Sequence, residues 1–254
     1  MSISERRLKP WPAQHAFHPA PTYILCSLHP RTGMTTTTRL LADFHAVERK
    51  PIQIFTTDPR DTTLETWFAD ACTIADVTTT PGQMVLFEQL MKPSSDTRIV
   101  EISARSFQAF FARAREIGMF DEAKRRELKP VILFVSNGSA TSVEAARTLR
   151  GIWPAVPLVT VLNEGLFSLG PTVHDHLAAF PTEYSFQIPP LPGALRSLIN
   201  APALSLSRFF SSEPPTNMSI LAQADLREWL KRNFAQFRAH EVRTTLEEAN
   251  YLLR

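Results

Sequence analysis

Residues 22–58 read TYILCSLHPRTGMTTTTRLLADFHAVERKPIQIFTTD, and the order of residue types in this stretch indicates the architecture. It opens with Tyr23–Ser27, a short apolar run of the kind that forms a buried strand. A polar segment with one glycine follows from Leu28 to Thr36, and apolar residues then recur at helical spacing from Arg39 to Phe44. A second apolar run, from Ile52 to Phe55, leads to Asp58. The stretch therefore predicts a strand, a loop, a helix and a second strand.

The loop between the first strand and the helix resembles a phosphate-binding loop without its lysine. In the pattern G-x-x-x-x-G-K-[ST], backbone N–H groups surround phosphates, the lysine contacts the β and γ oxygens, and the hydroxyl binds Mg²⁺. Gly33 and Thr35 match the second glycine and the hydroxyl, whereas Leu28 replaces the first glycine and Met34 replaces the lysine. Pro30 also removes one backbone donor.

The loop and its flanks resemble the ParA/MinD family of ATPases, whose deviant Walker-A loop reads KGGVGKTT. Laid on this motif without gaps, His29–Thr36 matches three of eight positions. The family's second strand ends in Asp-x-Asp-Pro, where Thr56 replaces the first aspartate here and Asp58 matches the second. The run 156–163 resembles the family's strand that ends in a base-contacting asparagine, and 188–192 resembles its late strand and proline-rich turn. The likeness covers roughly residues 22–210.

The resemblance implies a P-loop NTPase-like fold, which is a doubly wound α/β domain with a mostly parallel sheet, here with an appended C-terminal helix. It also implies a ligand crevice at the carboxyl ends of the strands. The residues expected to contact a nucleotide are His29, Arg31, Thr32, Gly33, Met34, Thr35, Thr36 and Asn163.

Two of the matched residues are candidates for metal binding and catalysis. Thr35 and Asp58 are expected to hold Mg²⁺, since hard cations prefer such oxygens, and Asp58 is also the catalytic candidate that orients a water. Alternatively, Thr35 is only a helix N-cap and Asp58 only a strand-end turn. Glu101 falls where a second carboxylate could approach the metal, although acidic residues are common at strand ends.

The missing lysine bears directly on activity. Its charge-assisted hydrogen bonds to phosphate contribute roughly 1.5–3 kcal/mol each, so their loss weakens nucleotide binding by about one to two orders of magnitude. It also removes stabilisation of the transition state. We therefore expect ATP and Mg²⁺ to bind weakly or not at all.

The leading hypothesis for function is a ParA/MinD-like protein with impaired or lost ATPase activity. It would act as an interaction or regulatory partner in a positioning, segregation or surface-assembly system. One alternative is an active ATPase that uses Arg31 in place of Met34. A second alternative is a DNA-associating partition protein.

Composition predicts one globular α/β domain. Of 254 residues, 44% are hydrophobic and 20% are charged, which allows a sizeable core. We expect a flexible arm over residues 1–20, the P-loop domain over 21–212, and a linker with a C-terminal helix over 213–254. Within the domain, the runs 99–102 and 131–135 predict strands, and residues 106–129 and 142–149 predict helices.

The expected partners follow from charge and from the last helix. The net charge of +2 does not by itself imply nucleic-acid binding. Two basic regions permit non-specific DNA binding, but cations near helix C-termini are better explained by the helix macrodipole. The apolar face of the last helix is either a core face or a docking face, so a protein partner or self-association is expected. That face contains Leu226, Leu230, Phe234 and Phe237.

Cysteine usage and hydropathy limit the classes of protein to which this chain can belong. Two cysteines, Cys26 and Cys72, are too few for a disulfide framework. No apolar run approaches the ~20 residues of a membrane span, and no signal-peptide pattern opens the chain. We therefore expect a cytoplasmic protein.

Overall fold

The computed structural model describes residues 19–166, 178–180, 184–202, 204–212 and 218–252. Residues 1–18 of the expected arm and residues 213–217 of the expected linker lie outside this part of the chain. The domain boundaries proposed from sequence therefore stay predictions.

Seven strands form a single sheet in the order β3-β2-β4-β1-β5-β6-β7. All neighbouring strands run parallel. The sheet confirms the predicted α/β class and places the strand before the loop at its centre. The strands are β1 (Pro21–Cys26), β2 (Ile52–Thr56), β3 (Cys72–Ile74), β4 (Thr97–Ile102), β5 (Lys129–Ser136), β6 (Leu158–Asn163) and β7 (Ser185–Ile188).

The described helices connect these strands and cover both faces of the sheet. They are α1 (Met34–Val47), α2 (Thr63–Trp67), α3 (Thr80–Leu90), α4 (Phe107–Glu116), α5 (Met119–Arg125), α6 (Ala140–Ile152), α7 (Arg196–Ile199), α8 (Leu206–Ser211) and α9 (Ile220–Leu252). None of the helices in these ranges is long and apolar enough to cross a membrane.

The central strands are mostly apolar because each face of the sheet is covered. Tyr23 and Leu25 of β1 belong to one buried cluster, with residues of α1 and α9. Ile24 and Cys26 belong to the opposite cluster, with residues of α3, α4, α5 and α6. Continuous apolar runs, rather than alternating ones, are typical of such doubly covered parallel sheets.

The apolar face of the last helix is part of the core. Leu226, Leu230, Phe234 and Phe237 are all buried, and the rings of Phe234 and Phe237 lie 5.8 and 5.7 Å from that of Phe44 on α1. Ion pairs join the same two regions, with Lys50 Nζ 2.7 Å from Glu241 Oε1 and Arg238 paired with Glu48. The face that sequence left open for a partner packs against its own chain.

Helix α9 also covers the outer edge of β7. The side-chain amide of Gln236 accepts a hydrogen bond from the Gln187 backbone N–H at 2.8 Å and donates one to the Gln187 carbonyl at 2.8 Å. A side chain thus makes the two bonds that a neighbouring strand would make at this residue.

Two sequence expectations about the helices and strands need correction. A single helix over 106–129 is wrong, because Gly118 adopts a left-handed conformation (φ 61°) that separates α4 from α5. Lys129 begins β5. The sequence patterns also did not reveal α2, β3 and α3, since β3 has only three residues and α3 contains proline and glycine in its first turn.

Candidate functional site

The candidate site is the loop between β1 and α1, at the carboxyl end of the central strand. The Ser27 hydroxyl donates to the His29 carbonyl at 3.0 Å. Further along, Arg31 (φ 61°) and Gly33 (φ 86°) both adopt left-handed backbone conformations. The His29 ring also contacts helix α6, with Nε2 2.8 Å from the Thr141 hydroxyl. The loop is therefore a defined turn that leads into the N-terminus of α1.

Gly33 is held against the end of β6. The positive φ favours glycine, and a Cβ atom at this position would lie 2.3 Å from Asn163 Nδ2, so that side chain would have to shift. The same amide group lies 3.5 Å from the Thr32 carbonyl, and Asn163 Oδ1 accepts from the Gly165 N–H at 3.1 Å. Asn163 thus fastens the loop to the neighbouring half of the sheet.

A cavity of about 580 Å³ opens in front of the loop. Residues 29–36 form one wall, and the segments that follow β2 and β4 form the other. Every residue that sequence assigned to the site lines this cavity except Asn163. The lining residues outside the loop are Asp58, Arg60, Asp61, Glu101, Ser103, Ala104 and Arg105.

Met34 occupies the lysine position of the loop pattern. It is half-buried and packs against the apolar cluster that α1 shares with α9. The side chain at this position therefore contributes apolar contacts and no charge. Thr36, two residues on, lines the cavity.

Thr35 and Glu101 form the polar centre of the site. The Thr35 hydroxyl donates to Glu101 Oε1 at 3.0 Å, and the Thr38 hydroxyl lies 2.5 Å from Glu101 Oε2. Glu101 is 5% exposed, although it sits near the open end of β4. From the sequence, Glu101 was a candidate for a second carboxylate near the metal ion. In the structure it lies directly beside Thr35.

Burial sets the charge state of this carboxyl group. Loss of solvation raises the pKa of Glu101 to about 7, the hydrogen bonds from Thr38 and Thr35 oppose the rise, and nearby Asp61 and Asp58 add to it. The Thr38 hydroxyl also lies 3.1 Å from the Met34 carbonyl. The Thr38 hydroxyl thus donates to Glu101 and to the Met34 carbonyl, and the carboxyl group changes its charge near neutral pH.

Asp58 lies on the opposite wall, at the turn after β2. Its Oδ1 accepts from the Arg60 backbone N–H at 3.1 Å, and Arg60 Nε lies 3.7 Å from the same oxygen. These contacts match the strand-end turn considered from sequence, while Asp58 still lines the cavity. Within the described ranges, no group of three or more His, Cys, Asp or Glu side chains is arranged to hold a metal ion.

Sequence reasoning missed the cations on this wall. Arg60 and Arg105 follow the ends of β2 and β4, which lie on the same side of β1 in the sheet. Ligands of open α/β sheets bind outside the carboxyl ends of the strands. The location of both arginines just after a strand could therefore have marked them as candidate site residues. Once β4 is known to lie between β1 and β2, both arginines fall beside the loop.

The fold and the site geometry can be compared with solved structures. A proposed plasmid partition protein from Borrelia burgdorferi, bound to AMPPNP, superposes with a TM-score of 0.51 at 8% identity, covering 84% of this chain and 99% of that one. The two chains share a fold. At this identity the similarity concerns architecture alone.

A second solved structure is also similar. It is a nucleotide-binding protein from Archaeoglobus fulgidus in complex with ADP and containing cobalt, with a TM-score of 0.47 and 16% identity over 70% of this chain and 85% of that one. No protein-family model matches the sequence, and no curated protein matches it.

Proposed function

We propose that this chain is a ParA-like nucleotide-binding protein with impaired or lost ATP hydrolysis. It acts as an interaction or regulatory partner in a partition, positioning or surface-assembly system. The observation that carries the proposal is Met34, an apolar core contact at the start of α1, where the loop pattern requires the lysine that binds and polarises phosphate.

The frame around Met34 supports phosphate binding. The loop retains its glycine in a left-handed conformation and lies at the N-terminus of a 14-residue helix, where backbone N–H groups and the helix dipole favour anions. Its cavity of about 580 Å³ lies within the ordinary range for small-molecule sites. The plasmid partition protein that shares this fold carries AMPPNP, so a nucleotide is the ligand class we assign to the cavity.

The donor set also suits Mg²⁺. The Thr35 hydroxyl and the oxygens of Asp58 and Glu101 are hard ligands that line one cavity. Thr35 and Asp58 would hold the ion, which would neutralise phosphate charge. Occupation by Mg²⁺ requires the Glu101 carboxyl group beside Thr35 to give up its proton or turn away.

A DNA-associating role has less support. The two basic regions lie around residues 124–129 and 227–238. Four of their arginines already pair with carboxylates, namely Arg125 and Arg126 with Glu122, Arg232 with Glu228 and Arg238 with Glu48. Such pairing lowers the local positive potential available to phosphates. We therefore keep the nucleotide-binding proposal ahead of the DNA-binding one.

Calorimetry and a phosphate-release assay test the proposal. We expect Mg-ATP to bind more weakly than low micromolar and no measurable ATP turnover. Met34→Lys should restore affinity only in part, because Pro30 still removes a backbone donor and the lysine must leave an apolar contact. Low-micromolar ATP binding by the natural chain, or turnover at ordinary ATPase rates, would contradict the proposal. Met84→Lys, at an exposed position on α3, is the matched control for added charge.

A further inference from the structure

Three arginines surround the cavity, and two of them have no partner. Arg31 and Arg105 make no hydrogen bond and no ion pair within the described part of the chain. Arg60 is paired only loosely, with its Nε 3.7 Å from Asp58 Oδ1 and its side chain 74% exposed. Ion pairs this exposed contribute little and exchange easily.

These cations are concentrated on one side of the loop. Arg60 and Arg105 follow β2 and β4, whereas Asn163 ends β6 on the other side of β1. All three arginines line the same cavity, together with Asp58, Asp61 and Glu101, and the walls of such a concave site strengthen the field of fixed charges. Planar guanidinium groups also match the oxygens of phosphate in a bidentate way.

A buried hydroxyl in the same wall has no partner. Thr32 is 1% exposed, its Oγ1 has no hydrogen-bond partner, and the residue lines the cavity. A buried polar atom without a partner carries a free-energy cost unless a ligand or water satisfies it. An anion in the loop is the ligand chemistry that would pair with the two unpaired arginines.

We propose that Arg31, Arg60 and Arg105 bind the terminal phosphate of a polyphosphate chain, in place of the lysine missing at position 34. The inference rests on the proposed function only in that the ligand enters the same cavity. The β2 and β4 side holds the terminal phosphate. The affinity that remains without a lysine then comes from arginine side chains that the loop pattern does not specify.

The test compares two double variants with the natural chain. Arg60→Ala/Arg105→Ala removes two cations from the cavity. Arg125→Ala/Arg232→Ala removes two exposed cations elsewhere, so the net charge changes equally. Inorganic tripolyphosphate is titrated into each protein by calorimetry at low salt, and thermal unfolding confirms that both variants fold.

The cavity variant should bind tripolyphosphate at least roughly tenfold more weakly, the loss expected for one charge-assisted contact. The control should change by less than about threefold, as expected for distant exposed charges.

Three outcomes would overturn this inference. They are no tripolyphosphate binding by the natural chain at millimolar concentration, equal affinity of the cavity variant, or an equal loss in the control. Parallel titration with Mg-ATP separates the inference from the proposed function. If tripolyphosphate binds as expected and ATP does not, nucleotide binding fails while the arginine site stands. If ATP binds and the cavity variant binds it unchanged, the arginine site fails while nucleotide binding stands.

Discussion

At the residue scale, close contacts between side chains hold the shape of the loop. Gly33 touches Asn163, and Glu101 joins Thr35 to Thr38. Each contact links the loop or the first turns of α1 to the end of a different strand. The loop conformation therefore depends on side chains that are distant in sequence.

Gly33→Ala should destabilise the protein. Alanine would have to adopt the left-handed backbone conformation of this position, which costs about 1–3 kcal/mol in residues other than glycine. Its Cβ would also lie 2.3 Å from the Asn163 side chain. Urea unfolding measures the change. Gly151→Ala in α6 is the control, because nothing lies within 4 Å of a Cβ there, and alanine in a helix should stabilise by about 0.5–1 kcal/mol. Equal effects of the two substitutions would contradict this account.

Glu101→Gln should keep the native stability to within about 1 kcal/mol, because the amide reproduces the protonated carboxyl group. Its oxygen accepts from Thr35 and its NH₂ group donates to Thr38. Glu101→Ala should lose about 2–3 kcal/mol, since it leaves a cavity and removes both hydrogen bonds. Unfolding in metal-free buffer compares the two variants. A glutamine variant as unstable as the alanine variant would show that Glu101 is ionised in the folded chain.

At the element scale, helix α1 links the loop to the rest of the chain. The Arg39 guanidinium donates to the carbonyls of Ile199 and Leu204, and Asp43 accepts from the Ser207 N–H at 2.8 Å. Together they fix the segment between α7 and α8 against the middle of α1. Burial lowers the pKa of Arg39 and raises that of Asp43, while their mutual attraction opposes both shifts.

His45, near the end of α1, gives the interface with α9 a defined pH dependence. The ring is fully buried, and burial, with a contribution from Lys50, lowers the pKa to about 3. Glu241 lies 3.7 Å from Nδ1 and would favour the charged ring. However, Lys50 already binds that carboxylate through two bonds of 2.7 and 2.8 Å. Burial therefore decides the direction in which the pKa of His45 shifts.

The free energy of unfolding should fall as pH decreases from about 6.5 to about 3. In that window the unfolded histidine takes up a proton and the folded one does not, with a slope of at most about 1.4 kcal/mol per pH unit from this site. His45→Phe should remove this pH dependence. The free energy of unfolding of the variant minus that of the natural chain should therefore increase towards acid pH. Urea titrations at several pH values measure it. A constant difference would mean that Glu241 holds a charged ring.

At the scale of the whole molecule, sequence predicted the parallel sheet because its apolar runs are long and continuous. The loop and the apolar face of α9 were visible for the same reason, since each is a local pattern, but the sequence left open whether that face packs in the core or binds a partner. The grouping of Glu101, Arg60 and Arg105 beside the loop was not, because it depends on β4 lying between β1 and β2. Asn163 was selected as a base contact by resemblance, and its contact with Gly33 could not be read from either segment alone.

ATP should not convert this chain into a face-to-face dimer of the ParA/MinD kind. His29, at the position of the lysine that reaches across in that family, bonds Thr141 of its own chain. Two such loops without tightly bound phosphates would also bring Arg31 near Arg31, which is unfavourable. Light scattering with and without Mg-ATP measures the mass, and an ATP-dependent doubling would refute the prediction. Any nucleotide-independent dimer should use a surface other than the buried face of α9.

The contact between Gln236 and Gln187 has a consequence for how copies of this protein meet. An uncovered edge strand is a template on which another chain can add a strand, and such growth leads to aggregation. Here one edge strand, β3, is three residues long. On the other, the backbone groups of Gln187 are already satisfied by a side chain. In the part of the chain that the structure describes, one edge is therefore short and the other is capped at Gln187, which reduces the opportunity for crowded copies of the folded chain to join by extending the sheet.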